Sequence, residues 1–265
     1  MKELWTAITT YIFGALTGGW LKDVVEHLFA LLQSERQSAA AARRIVEAQL
    51  DPLLKAADEL QGKLRSIAEE DFKEFRCLPN IITFQSDLVN VCSTLYLLAQ
   101  FWCRLEILRR ETFHADLTRD KRGKILMDFL FCLESRKVRL VDRAWQRAIG
   151  ECAMTEGNPR PEVMLFKSFV HRYQFDGEMK RWLEPLEQML RECKYPRARQ
   201  RVLQYGVVVH ALIDTLDPKH YTTRDRPGYP NKLSHRTKKE IEGRVFGIYL
   251  REVKNKAKYL GARPE

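Results

Sequence analysis

Catalytic signatures are the first thing missing from this 265-residue chain. It holds no Walker-type phosphate loop, no G-x-G-x-x-G, no G-x-S-x-G and no H-E-x-x-H, so the common nucleotide-binding, hydrolase and zinc-protease frameworks are not signalled. It also lacks C-x-x-C and any Cys/His spacing typical of structural zinc. The expectation is no metal and no cofactor. Six cysteines, Cys77, Cys92, Cys103, Cys132, Cys152 and Cys193, are scattered rather than patterned. They read as reduced, buried thiols of a cytosolic domain, not as a disulfide framework. Strand-length alternation and internal repeats are absent as well. Gly and Pro are missing from long stretches, while Leu, Ala, Glu, Lys, Arg and Gln dominate. The composition favours helix, and the chain is long enough to bury a sizeable core. The expected fold class is all-α, a multi-helix bundle.

Charge is missing from one segment in particular. Residues Leu4 to Leu21, LWTAITTYIFGALTGGWL, carry none. As a helix, eighteen residues rise about 27 Å, close to the hydrocarbon thickness of a bilayer. Trp5 and Trp20 lie near its ends, where amphipathic rings favour the headgroup region. Gly14 and Gly18 form a G-x-x-x-G, which lets helices approach closely. A signal peptide is poorly supported, since Lys2 is cancelled by Glu3 and no small-residue cleavage site stands out. Two readings remain open: a membrane span, with the main domain on the cytoplasmic side of a bacterial inner membrane, or a buried or self-associating helix. Four threonines and three glycines dilute the segment and keep the second reading in play.

Residues 1–32 are therefore read as the anchor and start of a stalk, and 33–218 as a helical bundle domain. Val24, Val25, Leu28, Leu31 and Leu32 recur at helical steps, and 34–49 is polar and alanine-rich. Asp51-Pro52 predicts a restart, with Asp51 as N-cap and Pro52 at the first helical position. Leu78-Pro79-Asn80 predicts a break, followed by a long helix over 86–112. Its uncharged run Leu88–Cys103 is short for a span and contains Asn90, Ser93, Thr94 and Gln100, so a central helix buried on most sides is expected. Further helices are expected at 121–135, 139–154, 161–174, 178–193 and 197–216, a loop over 219–235, and a last amphipathic helix from Thr237 to Tyr259. That helix should bury Ile241, Val245, Ile248 and Val253, and present Arg244, Arg251, Lys254 and Lys258 as a basic face within a C-terminal region 236–265.

The net charge of +10 arises entirely after residue 193: Lys194–Glu265 holds 17 Lys and Arg against 7 Asp and Glu. Such a concentration suits nucleic acid, anionic lipid or an acidic protein partner, and equally a solvated surface.

One short constellation bears on catalysis. Arg109 stands five residues before His114 near the end of the central helix. This resembles the R-x(4–6)-H motif of HEPN ribonucleases, which are helical and metal-independent. The resemblance implies His114 as acid–base on a 2′-hydroxyl and Arg109 as phosphate clamp. The plainer reading is that Glu106 pairs with Arg109 and Arg110 on a solvated face. His210, inside the apolar run 207–212, reads as a satisfied core residue, and His27, His171, His220 and His235 have no partner at metal-ligand spacing.

The blocks DPLLKAADELQGKL, LYLLAQFWCRLEILRRE, QRAIGE and LIDTLDP resemble, in their order, a group of bacterial proteins with an N-terminal hydrophobic helix and a helical domain. The resemblance covers residues 1–218 in patches and implies architecture, not activity. In that group the position of His114 is not a fixed histidine. A looser likeness of design is to the membrane-anchored, HEPN-like accessory of type VI CRISPR systems, which assembles into a ring. Together these readings expect a membrane-anchored helical protein that self-associates or binds a cytosolic partner, with a bacterial defence effector as its setting. The alternatives are a HEPN-like ribonuclease and a nucleic-acid or anionic-lipid binding module at the C-terminus.

Overall fold

The computed structural model describes residues 2–76, 85–113, 115–157, 160–229 and 232–261, with side chains from Glu26 in the first stretch and from Leu88 in the second. The architecture is all-α, with ten α-helices among these residues. The only strands described there are Met154–Thr155 and Glu162–Val163, a two-residue antiparallel ladder.

Helix α1, Lys2–Glu69, runs 68 residues without interruption. At 1.5 Å per residue it is about 100 Å long. The predicted restart at Asp51-Pro52 is not there, because Pro52 sits inside the helix. Proline removes the N–H that would bond the Ala48 carbonyl. Ala48 is exposed, so water can serve that carbonyl and the helix continues. Full burial begins at Ala42, after the half-buried Ser38 and Ala39 and an ion pair from Glu35 to Arg119 at 2.8 Å. From there Val46, Leu50, Leu53, Ala57, Leu60, Leu64 and Ile67 are buried at steps of three and four. The helix ends at two left-handed residues, Asp71 (φ 52°) and Phe72 (φ 58°), with the Phe72 N–H donating to the Ile67 carbonyl at 2.8 Å. Burial of Phe72 offsets that backbone cost.

After α2 (Lys73–Arg76), helix α3 (Gln85–Glu111) packs on α1. Among the residues with described side chains, Leu88–Glu111 is the one stretch long and apolar enough to cross a membrane by length and composition, yet 72% of its apolar window is buried inside the protein. It is a core helix, as its length and polar content imply. Helices α4 (Lys121–Glu134), α5 (Arg143–Cys152), α6 (Phe166–Phe175), α7 (Gly177–Arg191) and α8 (Pro196–Leu216) follow. Their starts are chemically marked: Asp120, Asp142 and Asp176 accept backbone N–H groups at the N-termini of α4, α5 and α7. Helix α8 is buried on every side from Val202 to Ile213 and lies against α1 and α4. Its Tyr205 hydroxyl accepts a 2.7 Å hydrogen bond from Trp102 Nε1 of α3, so both buried polar atoms are satisfied. Helix α5 packs on α3, and α6 and α7 complete that side.

The C-terminal segment is not one amphipathic helix. Helix α9 (His235–Glu240) passes into a π-helical stretch, Ile241–Tyr249, and a turn then leads to α10 (Lys256–Leu260). The wider i→i+5 winding, seen in the Leu250 N–H bond to the Val245 carbonyl at 2.9 Å, changes which residues face inward. Ile241, Val245, Phe246 and Leu250 are buried, while Ile248, expected inside, is 59% exposed. This segment shares one hydrophobic cluster with the bundle.

Candidate functional site

Two side-chain clusters stand out. The first contains Arg109. At the C-terminal end of α3 its guanidinium pairs with Glu106, one turn earlier, and with Glu134 at the end of α4. Arg147 of α5 donates to both Glu134 oxygens at 3.2 Å. The expected Glu106–Arg109 pair therefore exists, but not on a solvated face: Glu106 is buried. Burial raises the Glu106 pKa, opposed by Arg109 and Arg147. Burial also lowers the Arg109 pKa, against the pull of Glu106 and Glu134. The cluster floors a cavity of about 220 Å³ with Thr112, Met127 and Phe131 on its walls. Arg109 is thus held by two carboxylates. His114, its suggested catalytic companion, lies outside the described residues.

The second cluster joins the end of α8, the turn that follows it and the distant α10. His210 and Asp214 are one turn apart on α8, with His210 Nε2 3.6 Å from Asp214 Oδ1. His220 Nε2 is 3.6 Å from Asp214 Oδ1 and 3.6 Å from Asp225 Oδ1. From α10, Lys258 Nζ lies 2.9 Å from both Asp214 Oδ2 and Asp225 Oδ1, and the Tyr259 hydroxyl donates to Asp214 Oδ2 at 2.8 Å. The Tyr259 ring meets His210 edge-on, with centroids 5.2 Å apart. His210 is buried as expected; neither ring nitrogen makes a hydrogen bond of normal geometry, and the Arg226 backbone supplies only a weak polar contact. Burial pushes its pKa down to about 4, with the Asp214 carboxylate opposing.

Asp217 builds the turn that carries His220. Its Oδ1 accepts the Tyr221 N–H at 3.0 Å, and its Oδ2 accepts from the Thr222 and Thr223 N–H groups and hydroxyls at 2.9–3.2 Å. These bonds let His220 sit at φ 51°. Burial alone would raise the Asp217 pKa, but the Thr222 N–H, the Thr223 hydroxyl and their neighbours outweigh it and hold the carboxyl below its ordinary value. A depressed folded pKa contributes stability that is complete above the unfolded value and is lost as pH falls through the folded one. Asp217→Asn is accordingly expected to cost about 2 kcal/mol at neutral pH, and to flatten the acid limb of a melting-temperature profile measured between pH 7 and pH 2.

The remaining residues of interest are dispersed. Trp5, Gly14, Gly18 and Trp20 fall within the span of α1, but their side chains lie outside the described residues. Arg244, Arg251 and Lys254 are exposed, on the π-helical stretch and the turns after it. Arg244 lies 3.9 Å from Glu240, and Arg251 Nε donates to the Gly247 carbonyl. Lys258 turns inward to the aspartates. The four do not form one helical face, because the expected helix is broken between Leu250 and Asn255. Sequence reasoning missed the second cluster. Its one local signal was the four-residue step from His210 to Asp214 on a helix; His220, Asp225 and Lys258 arrive only through folding. Comparison with protein families, curated proteins and solved structures finds no match to this chain.

Proposed function

We propose that this chain is a membrane-anchored helical protein that self-associates through its N-terminal helix. The observation behind this reading is the uncovered stretch of α1. Every residue from Glu26 to Gln37 is exposed, and Leu28, Phe29, Leu31 and Leu32 are 49–68% exposed. Ahead of the Glu35–Arg119 ion pair the helix thus leaves the bundle with apolar side chains uncovered, on the same continuous helix as the uncharged run Leu4–Leu21. A helix in water is marginal unless something buries its apolar side, and a contiguous apolar patch calls for a partner. In sequence, Gly14, Gly18, Leu21, Val25, Leu28 and Leu32 follow alternating steps of four and three, the repeat of a helix–helix seam. A second copy of α1 supplies the matching seam, with the uncharged run in the bilayer and the bundle at its surface. The buried thiols of Cys92, Cys103, Cys132 and Cys193, each pushed up to about 12 by burial, suit a reducing cytoplasmic side.

Alkaline carbonate extraction of membranes tests the anchor. The full chain is expected to stay in the pellet and a chain lacking residues 1–21 to be released. Release of both overturns the anchor. Detergent-solubilised full chain is expected to sediment as an oligomer, with Leu28→Glu and Leu32→Glu together shifting it to monomer. A parent protein that stays monomeric at high concentration overturns self-association.

A further inference from the structure

The geometry points to a binding site for one divalent transition metal of the zinc class, formed by Asp214, His220 and Asp225 with His210 behind them. The argument starts from the His220 tautomer. The Thr223 hydroxyl spends its proton on Asp217 Oδ2 at 2.9 Å, so towards His220 Nδ1, 3.2 Å away, it can only accept. Nδ1 therefore carries the proton, and in the neutral ring Nε2 presents a lone pair. That lone pair faces Asp214 Oδ1 and Asp225 Oδ1, both 3.6 Å away.

The ammonium of Lys258 reaches Asp214 Oδ2 and Asp225 Oδ1, but no donor stands between the His220 lone pair and Asp214 Oδ1, and a cation at that point satisfies both. Asp214 Oδ1 is a buried oxygen with no hydrogen-bond partner, although its twin Oδ2 takes both Lys258 and Tyr259. His210, whose side chain is only 2% exposed, brings its own Nε2 to 3.6 Å from the same Oδ1. A separation of 3.6 Å is too long for a hydrogen bond. It is close to the edge, about 3.4 Å, of a tetrahedron with metal–ligand bonds of about 2.1 Å. The donor atoms of Asp214, His220 and Asp225 all lie within 4.8 Å of one another. An imidazole with two carboxylates suits zinc and its neighbours better than calcium or magnesium, which prefer oxygen alone. The Asp217–Thr223–His220 chain is the outer support that orients a metal-binding imidazole and fixes its tautomer.

Lys258 decides how tightly such a metal binds. Its ammonium already bridges Asp214 and Asp225, and it shares Asp225 Oδ1 with the metal position. The metal must compete with an internal cation, so removing that cation strengthens the site.

Tag-free full-length protein in detergent, stripped with chelator, is titrated with Co²⁺ and followed by visible d–d absorption, then back-titrated with Zn²⁺. Saturable uptake of one Co²⁺ per chain, displaced by Zn²⁺, is expected. His220→Ala, checked for helicity by circular dichroism, loses it at least tenfold, and Lys258→Met tightens it by a similar factor. Absence of uptake by the parent protein overturns the site, as does uptake that His220→Ala leaves unchanged. In the first case the cluster is an ion pair network in which Lys258 alone supplies the positive charge. Lys258→Met provides the check that does not depend on the His220 variant folding: affinity that falls or stays level with this substitution also counts against the proposal.

Discussion

Replacing Glu134 with alanine is expected to lower stability by roughly 3–5 kcal/mol, the range for removing one partner of a buried charge pair. Glu134 is the centre of the first cluster, since both Arg109 and Arg147 bond to it and its side chain is only 12% exposed. Without it, Arg109, whose side chain is mostly buried, keeps only Glu106 as a partner. Arg147 is 44% exposed and can turn to solvent, so Arg147→Met should cost about 1 kcal/mol at most. The ranking separates the two roles of charge at this site. If the cost of Glu134→Ala comes from stranding Arg109, then replacing Glu106, Glu134 and Arg109 together by Leu, Leu and Met removes the stranded charge and recovers most of the loss. Chemical denaturation of the four proteins measures this. A Glu134→Ala variant as stable as the parent would show that the cluster is hydrated and open, and would free Arg109 for the phosphate-binding role its spacing from His114 suggests.

The second large effect is expected at Gly150, in the α5 block QRAIGE. A Cβ there would lie 2.8 Å from the Trp102 carbonyl carbon, 2.9 Å from its oxygen and 3.1 Å from the Cys103 nitrogen. The atoms met are backbone of α3, which cannot rotate aside as a side chain could. Gly150→Val therefore forces α5 away from α3 and is expected to cost about 3 kcal/mol, read as a fall of about 6–12 °C in melting temperature. Trp102 would be displaced with its bond to Tyr205, so the intrinsic tryptophan emission of the native state should change as well. Gly177 is the control. A Cβ there meets nothing within 4 Å, and Gly177→Ala should change stability by no more than about 0.5 kcal/mol. Equal stability of Gly150→Val and the parent would mean that the two helices are not in backbone contact.

Much of this architecture is written locally. The breaks at Asp176-Gly177, Tyr195-Pro196 and Asp217-Pro218 are legible because such residues act on the backbone next to them, whereas the Asp142 cap falls inside the helix expected over 139–154. The buried character of α3 and α8 is legible because a run of apolar residues of that length, with a few polar atoms to satisfy, belongs inside a bundle. Pro52 misleads because its cost depends on whether the freed Ala48 carbonyl can find water, and that is a matter of which side of α1 the bundle covers. Ile248 misleads because a 3.6-residue period does not apply where the chain winds wider.

The candidate sites divide in the same way. Arg109 and Glu106 are one turn apart, so their pairing can be read from spacing, whereas the burial that makes it consequential comes from α4 and α5. His210 belongs to the core as its apolar surroundings in sequence imply, but its ring nitrogens find no hydrogen bond of normal geometry there. Satisfaction depends on neighbours contributed by the turn after α8 and by α10.

By itself the sequence determined an all-helical chain, the position of most helix ends, the uncharged N-terminal run and the scatter of its cysteines. Each of these follows from residues a few positions apart, through backbone propensity, capping and apolar period. Only the tertiary structure decided that α1 runs on through Pro52 and leaves the bundle uncovered at Leu28–Leu32. It alone brought Asp214, His220, Asp225 and Lys258 together, and turned Lys258 inward from the basic face. Those outcomes depend on which distant segments share the core. A charge's partner and a carbonyl's access to water are properties of that packing, not of the local chain.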